Sequence, residues 1–332
     1  MSRAAFTPAR LTGRRGVLAG AGLAFLAPGR GLRAQSGWPD RPISIIVPYP
    51  PGGPTDASIR PMTQRLSELL GQPVVIDNKA GASGTIGAEF VARAEPDGYT
   101  LLTSTVAMLA ITPHVMKLSY DPLKSFTPLA MLSVSNGVLA VNERVPARSV
   151  AELVAYGKAN PGKLTYGSAG IATYTHLSGV RFGRSAGIEI RHVPYRGSAP
   201  SVTDCIAGNV DMVFDPVAIP AVRDGKLRGL AALDPAPNPL LPGLPTLRES
   251  GYADNGADAW FGLLGPAGLP EAIRSRLIQA IATAHAAPEV GKAMAIAGLR
   301  PALLTGDAFA ARIRADHQSL GEVVRSAGIT LS

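Results

Sequence analysis

Cysteine is nearly absent. Cys205 is the only one in 332 residues, so no intramolecular disulfide can form in any compartment. It lies in a stretch that reads as a helix, Ser198 to Ala207, where a buried small hydrophobe is the default for a lone thiol. Long apolar runs are also missing. Beyond the N-terminus no run reaches the roughly 18 residues expected of a membrane-spanning helix. Excess charge is scarce too once its location is considered. The formal net charge is +8, but residues 1–34 hold six arginines and no Asp, Glu or Lys, leaving 26 basic against 24 acidic residues in the rest. That balance excludes a basic nucleic-acid footprint.

Catalytic patterns are missing as well. There is no G-x-S-x-G elbow, no phosphate loop with Gly-Lys-Ser/Thr, no G-x-G-x-x-G fingerprint and no H-E-x-x-H helix. His114, His176, His192, His285 and His317 are dispersed without metal-ligand spacing. Neither a metal nor a cofactor is implied, and neither Ser83 nor Ser168 has a base that the sequence identifies. An enzyme is therefore not expected, a periplasmic hydrolase using one of these serines being a distant alternative.

What is present begins with a leader. A basic segment, an apolar stretch from Gly16 to Ala27 and a cleavage point after Ala34 describe an export signal at residues 1–34. Arg14-Arg15 before Gly16-Val17-Leu18 partly matches the twin-arginine pattern. Leu32 is not the small residue expected three positions before the cut, and the leader has no cysteine to carry a lipid.

The rest is organised around Val47 to Asp56, Val-Pro-Tyr-Pro-Pro-Gly-Gly-Pro-Thr-Asp. It follows the apolar run Ile43 to Val47, a strand, and precedes an amphipathic helix from Ala57 to Leu70. Gly52 and Gly53 allow close backbone approach, and Thr55 or Asp56 can cap a helix whose first N–H groups suit a carboxylate or phosphate. Alone, the stretch is equally a plain strand-to-helix connection. Three more glycine- or hydroxyl-rich turns follow at Ala80 to Gly87, Gly167 to His176 and Pro194 to Ser198, and Thr103-Ser104-Thr105 ends another strand. Such turns place helix N-termini at the carboxyl edge of an open α/β sheet, where ligands bind. The rhythm predicts two α/β lobes, residues 38–138 with 256–332 and residues 139–255, each a mostly parallel sheet flanked by helices. Asp234 to Pro245 reads as an exposed proline-rich connection.

Several ordered motifs carry a family resemblance. Pro51-Gly52-Gly53 with Asp56 and Arg60, Asn78 with Gly81-Ala82-Ser83-Gly84, Pro96-Asp97-Gly98-Tyr99, Tyr166-Gly167-Ser168 with His176-Leu177, His192-Val193-Pro194-Tyr195 with Gly197 and Asp204, and Val210-Asp211 with Phe214 follow in order. Together they resemble the periplasmic substrate-binding component of tripartite tricarboxylate transporters, the Bordetella uptake gene (Bug) protein family. The resemblance covers nearly the whole chain after the leader.

It implies a two-lobed periplasmic-binding-protein fold that closes on a small carboxylate (a di- or tricarboxylate, an acidic amino acid or an aromatic acid) and delivers it, as a periplasmic monomer, to integral membrane transporter subunits. The ligand would be met by Tyr49, Gly52, Gly53, Thr55, Asp56, Ala82, Ser83, Gly84 and Ser104 from one lobe. From the other would come Ser168, Thr173, Tyr174, His176, Tyr195, Gly197, Ser198 and Asp215. The same fold could instead serve a membrane signalling protein as a ligand sensor. Two departures stand out: Cys205 replaces a usual leucine, and Ile171-Ala172 interrupt a turn where Gly and Ser are common.

Overall fold

A computed structural model describes residues 37–135, 137–233, 237–252 and 259–326. The leader at residues 1–34 lies outside them. The chain divides into a short N-terminal unit, residues 1–38, of which Gly37 and Trp38 are described, and a main unit, residues 39–332, to which all that follows refers.

The first lobe opens with β1 (Ile43–Val47), α1 (Pro54–Ile59), α2 (Thr63–Leu70), β2 (Val74–Asn78), α3 (Thr85–Ala92), β3 (Thr100–Thr105) and β4 (Phe126–Ser135). The second holds β5 (Val138–Val141), α4 (Val150–Ala159), β6 (Thr165–Ser168), α5 (Tyr174–Ala186), β7 (Arg191–Pro194), α6 (Ser198–Ala207), β8 (Met212–Phe214), α7 (Ala218–Arg223) and β9 (Arg228–Ala232). The chain then returns as β10 (Ala259–Pro266), α8 (Glu271–His285), α9 (Pro288–Ile296), β11 (Leu299–Thr305) and α10 (Gly306–Ser326).

Two sheets result, ordered β11-β4-β10-β3-β1-β2 and β7-β6-β8-β5-β9. Each holds the expected parallel strands together with antiparallel ones. Parallel pairing joins β1 to β2 and β3, and β6 to β7 and β8. The remaining pairs are antiparallel, those of β10 with β4 and of β5 with its neighbours lying where the chain crosses between the sheets. β4 leaves the first sheet at Ser135 where β10 enters it at Ala259, so the two must run in opposite directions. β5, which follows directly, is inserted antiparallel between β8 and β9, and its first residue, Val138, pairs with Ala232 of the second sheet.

Sequence periodicity explains the elements. Ile43, Ile45, Ile46 and Val47 are all buried, as expected of a strand covered on both faces. The helix expected over Ala57–Leu70 starts three residues earlier and is interrupted at Arg60–Met62, because Pro61 has no N–H to continue the ladder. Ser149 caps α4 by accepting from Glu152 N at 3.2 Å. β11 was not legible, since Pro301 argues against a strand; it is tolerated because β11 lies at the edge and pairs with β4 alone.

In the stretch expected as an exposed connection, residues 234–236 lie outside the described ones. In the remainder, Asn238 and Leu241 are buried and Pro245 O accepts from Ala232 N at 2.8 Å.

One apolar core surrounds Trp260, Leu102 and Phe309 in the first lobe. The second sheet is covered on both faces: by Val150, Leu153 and Phe182 from α4 and α5, and by Val202, Cys205 and Ile219 from α6 and α7.

Candidate functional site

The carboxyl ends of β1, β3, β6, β7 and β8 lead into loops that meet around a cavity of about 70 Å³. Its lining comes from both lobes: Tyr49 to Pro51, Gly53 to Thr55 and Thr105 to Ala107 from the first, Ala169, Thr173 to Thr175, Gly197 to Pro200 and Pro216 from the second, and Ala259 to Phe261 from β10. Three helices begin here. Gly53 is the N-cap of α1, Thr173 of α5 and Gly197 of α6. Gly197 has φ +126°, which only glycine adopts easily, and a Cβ there would lie 3.3 Å from Pro50 of the opposite lobe. Thr173 accepts from His176 N at 3.3 Å and donates to Gly170 O at 2.6 Å, which fixes the start of α5.

No Lys, Arg or His is among the described residues lining the cavity. Charge nearby is already committed. Asp56 is buried and its carboxylate accepts from Arg60 Nε at 2.7 Å, from Gly52 N at 3.3 Å and from Asn78 Nδ2 at 3.4 Å. Burial opposes the ionisation of Asp56, but the Arg60, Gly52 and Asn78 partners outweigh it, and the carboxyl sits below its usual range. Asn78 also donates to Tyr49 O at 2.9 Å. Asp56 therefore braces the first loop.

Burial pushes the Tyr49 phenol up to about 12 and keeps it a donor, to Ser83 O at 2.8 Å. Asp215 is fully buried beside Pro216 and Ser198; burial lifts it to about 6, while the Ser198 hydroxyl and Val217 N–H pull it back.

Of the residues expected at the ligand, the structure brings Tyr49, Gly53, Thr55, Thr173, Tyr174, Gly197 and Ser198 to the cavity. Gly52, Asp56, Ala82, Ser83, Gly84, Ser104, Ser168, His176, Tyr195 and Asp215 are not in its wall. Their positions have physical reasons. Ser83 Oγ donates across the lobes to Ile171 O at 2.6 Å, and Gly84 packs under the Tyr49 ring. Ser104 is buried in β3 and donates to Gly262 O at 3.3 Å. Tyr195 donates to Asp204 Oδ2 at 2.8 Å.

Sequence reasoning missed Trp260 and Phe261, which look like ordinary core. Strand pairing puts them in the wall: β10 runs antiparallel to β3, with Phe261 opposite Thr105.

A hydrogen-bonding neighbour of Ser168 was also missed. His192 Nε2 lies 2.6 Å from Ser168 Oγ, and its ring stacks on His176 at 4.1 Å and on Tyr166 at 4.9 Å. Burial holds both histidines down at about 4, so they are neutral at pH 7. Ser168 is fully buried and its hydroxyl donates to Gly170 O at 3.1 Å, so the pair stiffens the third turn. The other three histidines bond main-chain carbonyls: His114 to His317 O, His285 to Leu132 O and His317 to Leu109 O. Among the described residues no His, Cys, Asp and Glu cluster could hold a metal.

Two α/β sheets with a cavity between their loop edges define a two-lobed solute receptor. The chain belongs to the tripartite tricarboxylate transporter family of receptors, whose family model matches residues 59–329; these are periplasmic binding proteins rather than enzymes. It is 36% identical over 298 residues to BugT of Bordetella pertussis, covering 89% of this chain and 91% of that one. Among solved structures it resembles R. palustris Rpa4515 with adipate (33% identity, TM-score 0.84, 89% of this chain and all of that one). It also resembles MatC from Rhodopseudomonas palustris with bound malate (30% identity, TM-score 0.81, 86% of this chain and all of that one).

Proposed function

We propose that this chain is an exported receptor that captures a small organic carboxylate between its lobes and hands it to a tripartite tricarboxylate-type transporter in the membrane. The observation that carries the reading is the cavity at which helices from both lobes begin, with hydroxyls of Thr55, Thr173 and Ser198 in its wall and no cationic side chain among the described lining residues. N–H groups at helix starts and hydroxyls can hold a carboxylate there without an arginine. The adipate and malate held by the two structural relatives support the chemistry.

Residues 1–34 are the leader, removed after Ala34 on delivery to the periplasm, and the mature protein works as a monomer. The lobes are residues 38–138 with 256–332 and residues 139–255, hinged where the chain crosses between the sheets. Tyr49, Gly53, Thr55, Thr173, Tyr174, Gly197 and Ser198 touch the ligand. Gly52, Asp56, Ala82, Ser83, Gly84, Ser104, Ser168, His176, Tyr195 and Asp215 hold the loops in place. No chemical step is performed.

The test is thermal unfolding of residues 35–332 with a panel of mono-, di- and tricarboxylates, aromatic acids and acidic amino acids. A true ligand at a hundredfold excess over its Kd adds about 2.7 kcal/mol of stability. That shift should disappear when Gly53 is replaced by a bulkier residue. Absence of any shift with every acid, in protein stripped by unfolding and refolding, refutes the carboxylate reading.

A further inference from the structure

We propose that Tyr174 sets the length of the acid this receptor accepts, favouring short acids over longer ones, because its ring fills space between the lobes that a longer acid would need. The inference rests on the carboxylate-receptor reading and concerns the same cavity, whose volume is about 70 Å³.

Tyr174 is the first residue of α5, in the second lobe, yet it belongs to the buried apolar cluster of the first, with Val106, Ala107 and Trp260. It is 7% exposed and lines the cavity. Its ring therefore occupies volume between the lobes that a longer ligand would need.

The segment that carries it is fixed from both sides. Ser83 Oγ donates to Ile171 O at 2.6 Å and Thr112 Oγ1 to Ala172 O at 3.3 Å, so two successive carbonyls of the second lobe are tied to the first. Ala172 takes a left-handed φ of +59°, which a non-glycine residue keeps only where its surroundings hold it. Thr175 accepts from Ala169 N at 2.9 Å, and Leu177 joins the same cluster one turn on. With the backbone pinned at Ile171 and Ala172 and the ring packed among apolar side chains, Tyr174 is a wall of the closed receptor.

The wall is also unsuited to a second charge. It contains five prolines, Trp260 and Phe261, and no Lys, Arg or His among the described residues. A far carboxylate pressed against the prolines, Trp260 and Phe261 would lose its water without gaining a cationic partner. A single carboxylate with a short tail avoids that penalty.

The test is isothermal titration of stripped wild type, Tyr174→Phe and Tyr174→Ala with acetate, propionate, succinate and adipate. Wild type should bind acetate or propionate at least tenfold more tightly than adipate. Tyr174→Phe keeps the ring volume and should keep that order. Tyr174→Ala should gain at least tenfold for adipate and reverse it. Wild type that binds adipate as tightly as the short acids, while still binding acids, overturns the length proposal alone, even if the alanine variant fails to fold. An unchanged order in folded Tyr174→Ala also overturns it. Binding of no acid by any of the proteins overturns both this proposal and the carboxylate reading.

Discussion

Ser83 and Ile171, 88 positions apart in the chain, are joined by a hydrogen bond of 2.6 Å from the Ser83 hydroxyl to the Ile171 carbonyl. One end lies on the turn before α3 and the other on the turn before α5, so the bond exists only while the lobes are together. A neutral hydrogen bond contributes about 0.5–1.5 kcal/mol net. Ser83→Ala should accordingly speed ligand dissociation roughly two- to tenfold, with the overall fold unchanged. Stopped-flow dissociation measures this; a rate equal to wild type would mean that the bond does not hold the closed form.

Trp260 forms part of the cavity wall and its indole N–H donates to Asp316 Oδ2 at 2.7 Å, an oxygen that also accepts from Arg312 Nε at 2.6 Å. Trp260 is fully buried and Asp316 nearly so. Asp316→Ala strips a buried donor of its acceptor, at a cost of about 1–3 kcal/mol. Asp316→Asn keeps an oxygen for the indole and should lose clearly less. Urea midpoints compare the two. Equal losses in both variants would assign the effect to the charge and not to the indole bond.

Gly262 lies in β10 where it crosses the Phe309 ring. A Cβ at this position would press into that ring and sit 2.9 Å from Ala130 O in the neighbouring strand. The ring is fully buried and the strand is central, so neither neighbour can give way easily. Gly262→Ala should destabilise the protein by about 1–3 kcal/mol, the usual range for overpacking. Reversible thermal unfolding tests this, and a melting temperature at or above wild type would show that the strand can shift.

The strands and turns were legible because their signals are local. The apolar run Ile43–Val47 is β1 residue for residue, and the turns after β1, β6 and β7 do converge. What escaped depends on partners far along the chain. Trp260 and Phe261 belong to an apolar strand like any other until pairing with β3 sets them at the cavity. Ser168 acquires His192 as a neighbour because β6 and β7 are adjacent and parallel. The antiparallel pairs of β10 with β4 and of β5 with its neighbours lie where the chain crosses between the sheets, which composition does not encode. The partner of Asp56 is local, Arg60 one turn on, whose Nε donates to its carboxylate at 2.7 Å.

The stacked pair His176 and His192 and the buried Asp215 should oppose one another in acid. Burial lowers both histidines from 6.5 to about 4, so the unfolded chain binds more protons between these values, and stability falls as pH drops from 6.5 towards 4. Asp215 is raised from 3.8 to about 6, so its contribution is complete below about 4 and lost as pH rises through 6. Two groups outweigh one. The net loss from these three groups between pH 7 and 4.5 should be about 1–3 kcal/mol, discounted because both imidazoles are partly exposed to solvent. Asp215→Asn removes the opposing contribution and should steepen the fall, whereas the double variant His176→Gln, His192→Gln should flatten it. Urea unfolding at pH 7, 5.5 and 4.5 separates the three proteins. A fall as steep in the double histidine variant as in wild type would show that other groups govern acid sensitivity and that the stacked imidazoles titrate alike in the folded and unfolded chain.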